Sequence, residues 1–148
     1  QGLQTRHLEQ ESGDFIVRRR DGLIAYQLAV VVDDEIEGVT EIVRGIDIID
    51  STPRQIWLQR LLGYRTPGYV HIPIITHANG DKLSKLTGAP GIGLADAPAT
   101  LVSALRALQQ NPPRDLHSDS LSNIWCWATE NWRLGAMHGL EAICHESP

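Results

Sequence analysis

Val39-Thr40-Glu41-Ile42-Val43-Arg44-Gly45, Ser51-Thr52-Pro53-Arg54-Gln55-Ile56-Trp57 and Tyr69-Val70-His71-Ile72-Pro73-Ile74-Ile75 are the three stretches whose reading decides the fold. The first and third are runs of the kind a strand buried on both faces shows. Between them Thr52 reads as a helix N-cap, with Pro53 at the first helical position and Gln55 completing a capping box. Ile56, Trp57, Leu61 and Leu62 then supply an apolar stripe, and Gly63 ends the helix. Strand, helix, strand is one crossover unit of a parallel sheet, so the expected class is α/β.

Working outward, Leu28 to Val32 is another continuous apolar run and is predicted to be a further buried strand. Upstream of it, Asp14 to Arg18 runs into Asp21-Gly22, a pair that favours a tight reversal. Downstream of the third stretch, Gly80-Asp81-Lys82-Leu83-Ser84-Lys85 places two lysines three residues apart on a glycine-bearing loop. Two compact cations around a hydroxyl suit a phosphate ligand, because each ammonium can follow charge as it develops. Taken alone the motif is weak, since a solvated turn has the same composition.

From Leu86 the composition shifts to turn formers, Thr87-Gly88-Ala89-Pro90-Gly91, which predict a connector. A helical part follows. Asp96 is placed to cap a helix through Leu101, Leu105 and Leu108 that stops at Asn111-Pro112-Pro113. Ser120 is placed to cap a second, with Leu121, Ile124, Trp125, Ala128 and Trp132 at helical spacing. Trp125, Trp127 and Trp132 therefore read as packing residues rather than as platforms for stacked bases.

Composition bounds the rest. With 148 residues, 42% hydrophobic and 21% charged, the chain has the mix of a globular protein with one ordinary core. No apolar run approaches the roughly 20 residues that cross a membrane, and residues 1–13 hold no basic segment followed by an apolar one. A cytoplasmic setting with no membrane partner is the expectation. There Cys126 and Cys144 read as reduced thiols. A net charge of −5 argues against holding nucleic acid by bulk electrostatics, although Arg18-Arg19-Arg20 and Lys82/Lys85 are local basic clusters. Cys126, His138, Cys144 and His145 are the right elements for zinc at spacings that match no common site, so no metal site is expected here.

Taken in order, the segment Asp21 to Ala29, the Gly38 to Gly45 run, Ser51 to Gln55 and the Lys82-Leu83-Ser84-Lys85 loop resemble the glutamyl-tRNA synthetase family of class I aminoacyl-tRNA synthetases. The resemblance is strong over roughly residues 13 to 90. Glu130-Asn131-Trp132-Arg133-Leu134 is similar to the short glutamyl-queuosine branch of that family, which lacks an anticodon-binding domain. Leu86, where the family ordinarily has serine, points the same way.

The resemblance implies the second half of a Rossmann-like catalytic domain over residues 1–86, ending in the lysine loop, and a connector and small helical stem-contacting extension over 87–148. No part resembles the earlier half, with its His-Ile-Gly-His-like ATP motif, so an enzyme roughly twice this length is implied. It also implies ATP-dependent activation of L-glutamate and transfer of the glutamyl group to the queuosine wobble base of tRNA(Asp). ATP is then a substrate with Mg2+, and the zinc that occurs in the family has its ligands upstream.

Residue by residue, Tyr26 matches the tyrosine lining the glutamate pocket and Arg44 the arginine that pairs with the substrate carboxylate. Lys82 and Lys85 match the signature loop as catalytic residues, with Lys85 on ATP. Purely structural alternatives are a core aromatic for Tyr26 and an ion pair with a nearby carboxylate for Arg44. Alternatives for the whole chain are a non-catalytic tRNA-binding fragment or a truncated glutamyl-tRNA synthetase charging tRNA(Glu). A monomer is expected.

Overall fold

In the computed structural model, residues 1–84, 86, 91 and 97–144 are described. They fall into two compact units, residues 1–71 and 72–148.

The first unit begins with a short helix α1 (Leu8–Glu11), followed by the expected reversal. Arg18 pairs with Ile24 in an antiparallel bridge, and Gly22 takes φ +86° between them, a conformation open to glycine without steric cost. Helix α2 (Tyr26–Glu37) comes next. Here the structure corrects the sequence reading, because the Leu28 to Val32 run is helical and not a strand. A short apolar run does not distinguish a strand from a buried helix. What distinguishes this one is its sequel: Asp33-Asp34-Glu35 continues the helix, and Gly38 closes it at φ +69° with its N–H on the Asp34 and Glu35 carbonyls. Gln27, Val31 and Asp34 share one face of α2 by the i, i+3, i+4 spacing, and Val31 is 1% exposed.

Strand β1 (Glu41–Gly45), helix α3 (Ser51–Leu62) and strand β2 (Gly68–Ile72) form the expected crossover. β1 pairs with β2, and the Gly68 N–H donates to the Thr40 carbonyl at 2.9 Å, so the strands meet start against start. Gly63 ends α3 at φ +72°, as its sequence position predicts. The start and the buried face differ from expectation. Asp50, not Thr52, holds the cap position, and no side chain caps the helix. The expected stripe is largely exposed, with Trp57 at 45%, Leu61 at 64% and Leu62 at 44%, while the buried residues are Gln55, Leu58 and Gln59. A helix that turns two glutamines inward is placing hydrogen-bonding groups and not an oily face.

The strand predicted as Tyr69 to Ile75 is broken at Pro73, which has no N–H to give a ladder. Its continuation, β3 (Ile74–Thr76), pairs in parallel with β4 (Ala142–Cys144) in the register Ile74 to Ala142 and Thr76 to Cys144. β4 was not foreseen, because three residues carry no readable period. Helices α4 (Ala97–Ala107) and α5 (Leu121–Asn131) form the helical part, and the Ser120 Oγ cap accepts from the Asn123 N–H at 3.2 Å as predicted. The expected Asp96 cap and the 87–90 and 92–96 stretches of the connector lie outside the described residues.

The core of the second unit joins Val102 and Leu105 of α4, Leu116, and Ile124 and Ala128 of α5, with Leu101 and Trp127 against it. Trp127 packs as expected. Trp125 and Trp132 do not, at 59% and 43% exposed, because the face of α5 that meets α4 is centred on Ile124 and Ala128. Gln110, 3% exposed, fastens the chain after α4 to the end of α5: its Oε1 accepts from the Arg133 N–H at 2.7 Å and its Nε2 donates to the Arg133 carbonyl at 3.2 Å.

Urea unfolding checks this account of α5. Ile124→Ala, at a site 0% exposed, should cost about 2–5 kcal/mol. Trp125→Ala should change the unfolding free energy by no more than about 1 kcal/mol.

Candidate functional site

Arg44 is the centre of the first unit's polar interior. It stands on β1, half-buried, and reaches side chains of α3 and β2. Its Nε donates to His71 Nε2 at 3.2 Å, Nη1 to Gln55 Oε1 at 2.7 Å and Nη2 to Thr52 Oγ1 at 2.7 Å. The guanidinium lies 5.1 Å from the centroid of the Tyr69 ring, a cation–π contact. Gln55 Nε2 passes the chain on to Gln27 Oε1 at 3.0 Å, and Gln27 Nε2 donates to Ser51 Oγ at 2.9 Å. One set of side-chain hydrogen bonds thus ties α2, β1, α3 and β2 together around one cation.

Every hydrogen-bond partner of that cation is neutral, although the Asp34 carboxyl lies within reach of its charge. The ion pairs of Arg6 with Glu11 and Asp50, and of Arg19 with Asp21, do not involve Arg44. The structural alternative of an ion pair is therefore not what holds it. A guanidinium has five N–H donors. Three are engaged, which leaves one on each terminal nitrogen for a ligand.

The surrounding ionisable groups respond to this arrangement. Burial, and then the Arg44 charge, holds His71 below its ordinary value of 6.5. Burial pushes the Tyr69 phenol above 10.0, although its hydroxyl accepts from Gln59 Nε2 at 2.9 Å. Burial also raises the Asp34 carboxyl, with Arg44 pulling the other way. A cavity of about 360 Å³ opens beside this cluster, with Thr52, Ile56, Trp57, Tyr69 and His71 in its wall.

Of the four residues singled out in the sequence, the structure places two in this unit. Arg44 is the hub, and Tyr26 opens α2, 53% exposed, close enough for its charge state to act on Tyr69. Neither lines the cavity. Lys82 belongs to the second unit and is exposed. There β3 folds back on itself: Thr76 bridges Lys82, the Leu83 N–H donates to the Ile75 carbonyl at 2.8 Å, and Gly80 sits in the turn at φ +88°. Asn79 Oδ1 accepts from the Asp81 N–H at 3.0 Å and braces that turn. Lys85 lies outside the described residues.

Gln27, Thr52, Gln55 and His71 were not read as site residues from the sequence. Thr52 and Gln55 were visible there as a capping box, and the structure uses both on Arg44 instead. Among the described residues no three His, Cys, Asp or Glu side chains converge as a metal group, and neither Cys126 nor Cys144 is joined in a disulfide. No helix among the described residues is long and apolar enough to cross a membrane.

Fold and site together define a class. Residues 4–91 match the family of class I tRNA synthetases (E and Q), catalytic domain, and the chain belongs to that family. Among curated proteins it is similar to the glutamyl-Q tRNA(Asp) synthetase of Pseudomonas fluorescens, at 52% identity over 89% of this chain and 44% of that protein. The glutamyl-Q tRNA(Asp) synthetases of Dechloromonas aromatica and Pseudomonas syringae pv. syringae are each 50% identical to it, over 93% and 97% of this chain. The chain spans about half the length of these relatives, 44–48% of each. Among solved structures, the glutamate-tRNA synthetase of Elizabethkingia anophelis matches 90% of this chain and 30% of that one with a TM-score of 0.62 at 20% identity, a likeness of fold.

Stability should follow the His71 ring. Because its folded value lies below 6.5, the unfolded chain takes up a proton there before the folded one does. The contribution of His71 is whole above about pH 6.5 and is lost as pH falls through the folded value. Urea midpoints should therefore drop on acidification through this window, and His71→Gln should flatten that part of the profile.

Proposed function

We propose that this chain carries part of the site that activates L-glutamate with ATP and passes the glutamyl group to the queuosine wobble base of tRNA(Asp). The observation that carries the reading is Arg44, a cation held only by neutral side chains with an N–H to spare on each terminal nitrogen. A guanidinium so prepared suits a carboxylate, whose two oxygens it binds as a fork. The choice of acceptor is supported by the relatives, which are glutamyl-Q tRNA(Asp) synthetases.

In this reading Arg44 fixes a substrate carboxylate and Tyr26 lines the same pocket. A glutamate carboxylate oxygen attacks the α-phosphorus of ATP, forming the acyl adenylate as the bond to pyrophosphate breaks. Lys82 and Lys85 stabilise the negative charge that grows on the phosphate oxygens, which is electrostatic catalysis with no covalent enzyme intermediate. Queuosine then displaces AMP from the adenylate. Residues 1–86 carry the adenylation residues and 87–148 the connector and a tRNA stem contact. Magnesium accompanies ATP in such reactions and, when bound, would offset part of the phosphate charge.

Glutamate-dependent ATP–pyrophosphate exchange without tRNA tests the reading. Because the chain spans about half the length of its relatives, it is expected to be silent by itself and to support exchange when combined with the remaining half of such a relative; silence of that combination, both parts folded, would count against the reading. Lys85→Ala should depress exchange by about 100-fold or more while leaving glutamate binding near its original strength. Arg44→Ala should instead raise the glutamate requirement on the order of 30- to 1,000-fold, the scale of losing one side of a buried charge-assisted pair. Equal loss of binding and rate in Lys85→Ala would remove its transition-state role.

A further inference from the structure

His71 stands at the foot of the Arg44 arrangement, and its geometry fixes its protonation. Arg44 Nε can only donate, so His71 Nε2, 3.2 Å away, accepts. Thr52 Oγ1, which accepts from Arg44 Nη2 at 2.7 Å, lies 3.0 Å from the same Nε2, and with Nε2 already an acceptor that contact can be made only by the hydroxyl proton. Two donors converge on one ring nitrogen. The ring is therefore neutral with its proton on Nδ1, because an Nε2–H would meet the Arg44 N–H head on.

We propose that His71 is a positioning residue that acts only as the neutral ring: it holds the Nε side of Arg44 so that the remaining N–H groups face a carboxylate ligand, and protonation of His71 releases that hold and weakens carboxylate capture. The proposal rests on the carboxylate reading of Arg44 and adds a pH gate to the same site. It predicts a loss of ligand on the acid side that the ligand's own carboxylates do not explain, since these stay ionised well below pH 6.

The groups around the ring favour this behaviour. From β1 comes the Arg44 cation, which disfavours a second positive charge on the ring. From α3 come Thr52, which is uncharged, and Arg60, which lines the same cavity, as does Arg6 of the N-terminal segment. On its own strand Tyr69 stacks at 6.3 Å with the rings 5° from parallel, and its phenol is held neutral. Asp34 of α2 acts on Arg44 and Tyr69 and is not among the charges that shift His71. Burial adds to the preference for the neutral form.

The test combines nitrogen-15 NMR of the histidine and arginine side chains with calorimetric titration of L-glutamate, from about pH 8 to about pH 5, the range over which a histidine of this kind changes charge. Wild type is compared with His71→Gln, which offers an oxygen acceptor that does not titrate, and with His71→Leu, which offers none. In wild type His71 Nε2 should resonate as an acceptor nitrogen at neutral pH. As the ring protonates, Arg44 Nε–H should exchange faster with water and glutamate affinity should fall about tenfold or more.

His71→Gln should bind within about threefold of wild type at the upper pH and hold that affinity to the lower. His71→Leu should bind weakly throughout. Should the leucine variant not fold, the glutamine variant decides. A His71→Gln profile with the wild-type acid loss, or a wild-type ring carrying its proton on Nε2 at neutral pH, would overturn the proposal. If glutamate binds at no pH while Arg44 Nε–H still titrates with His71, the carboxylate reading of Arg44 falls and the ring's hold on the arginine stands.

Discussion

The first unit is organised by the need to keep one guanidinium charged, half-buried and without a carboxylate partner. Removing a cation from water costs several kcal/mol that an ion pair recovers only in part. Here three charge-assisted hydrogen bonds to neutral groups, each contributing about 1.5–3 kcal/mol, and the face of Tyr69 take its place. The arrangement determines much of the surrounding structure. Gln55, 1% exposed, is buried because it accepts from Arg44, and its own N–H groups then require the Gln27 acceptor on α2. α3 consequently turns a polar face inward, and its bulky apolar residues are left toward solvent.

Which parts of this were legible in the sequence follows from how local each signal is. The reversal at Asp21-Gly22, the end of α3 at Gly63 and the start of α5 at Ser120 depend on residues within four positions of one another, and all three were readable. Leu28 to Val32 was not, because five apolar residues satisfy a buried strand and a buried helix equally; the acidic residues and Gly38 that follow were the discriminating signal. The capping-box reading of Thr52 and Gln55 recognised the right residues for the wrong use. A hydroxyl and an amide near a helix start serve backbone N–H groups when nothing stronger is near, and here a guanidinium is.

The site was legible only where a family resemblance reached. Arg44 and Tyr26 could be carried over residue by residue, but nothing in the chain announces that His71, 27 residues from Arg44, or Gln55, 28 residues from Gln27, completes the arrangement. Pairings across that separation depend on the crossover bringing β1 against β2, which is tertiary and not local information. The break at Pro73 shows the same limit from the other side. One apolar run serves two sheets, because a single residue without an N–H ends one ladder and the chain beyond it finds another partner in β4.

The central claim is that Arg44 is held by neutral partners so that its charge is left for a carboxylate. The most direct measurement is a crystal structure of the chain soaked with L-glutamate. The account predicts a carboxylate within hydrogen-bonding distance of Arg44 Nη1 or Nη2, with Gln55, Thr52 and His71 still on the guanidinium. A glutamate bound elsewhere, or an Arg44 that leaves its three partners to pair with one of the protein's own carboxylates, would contradict it.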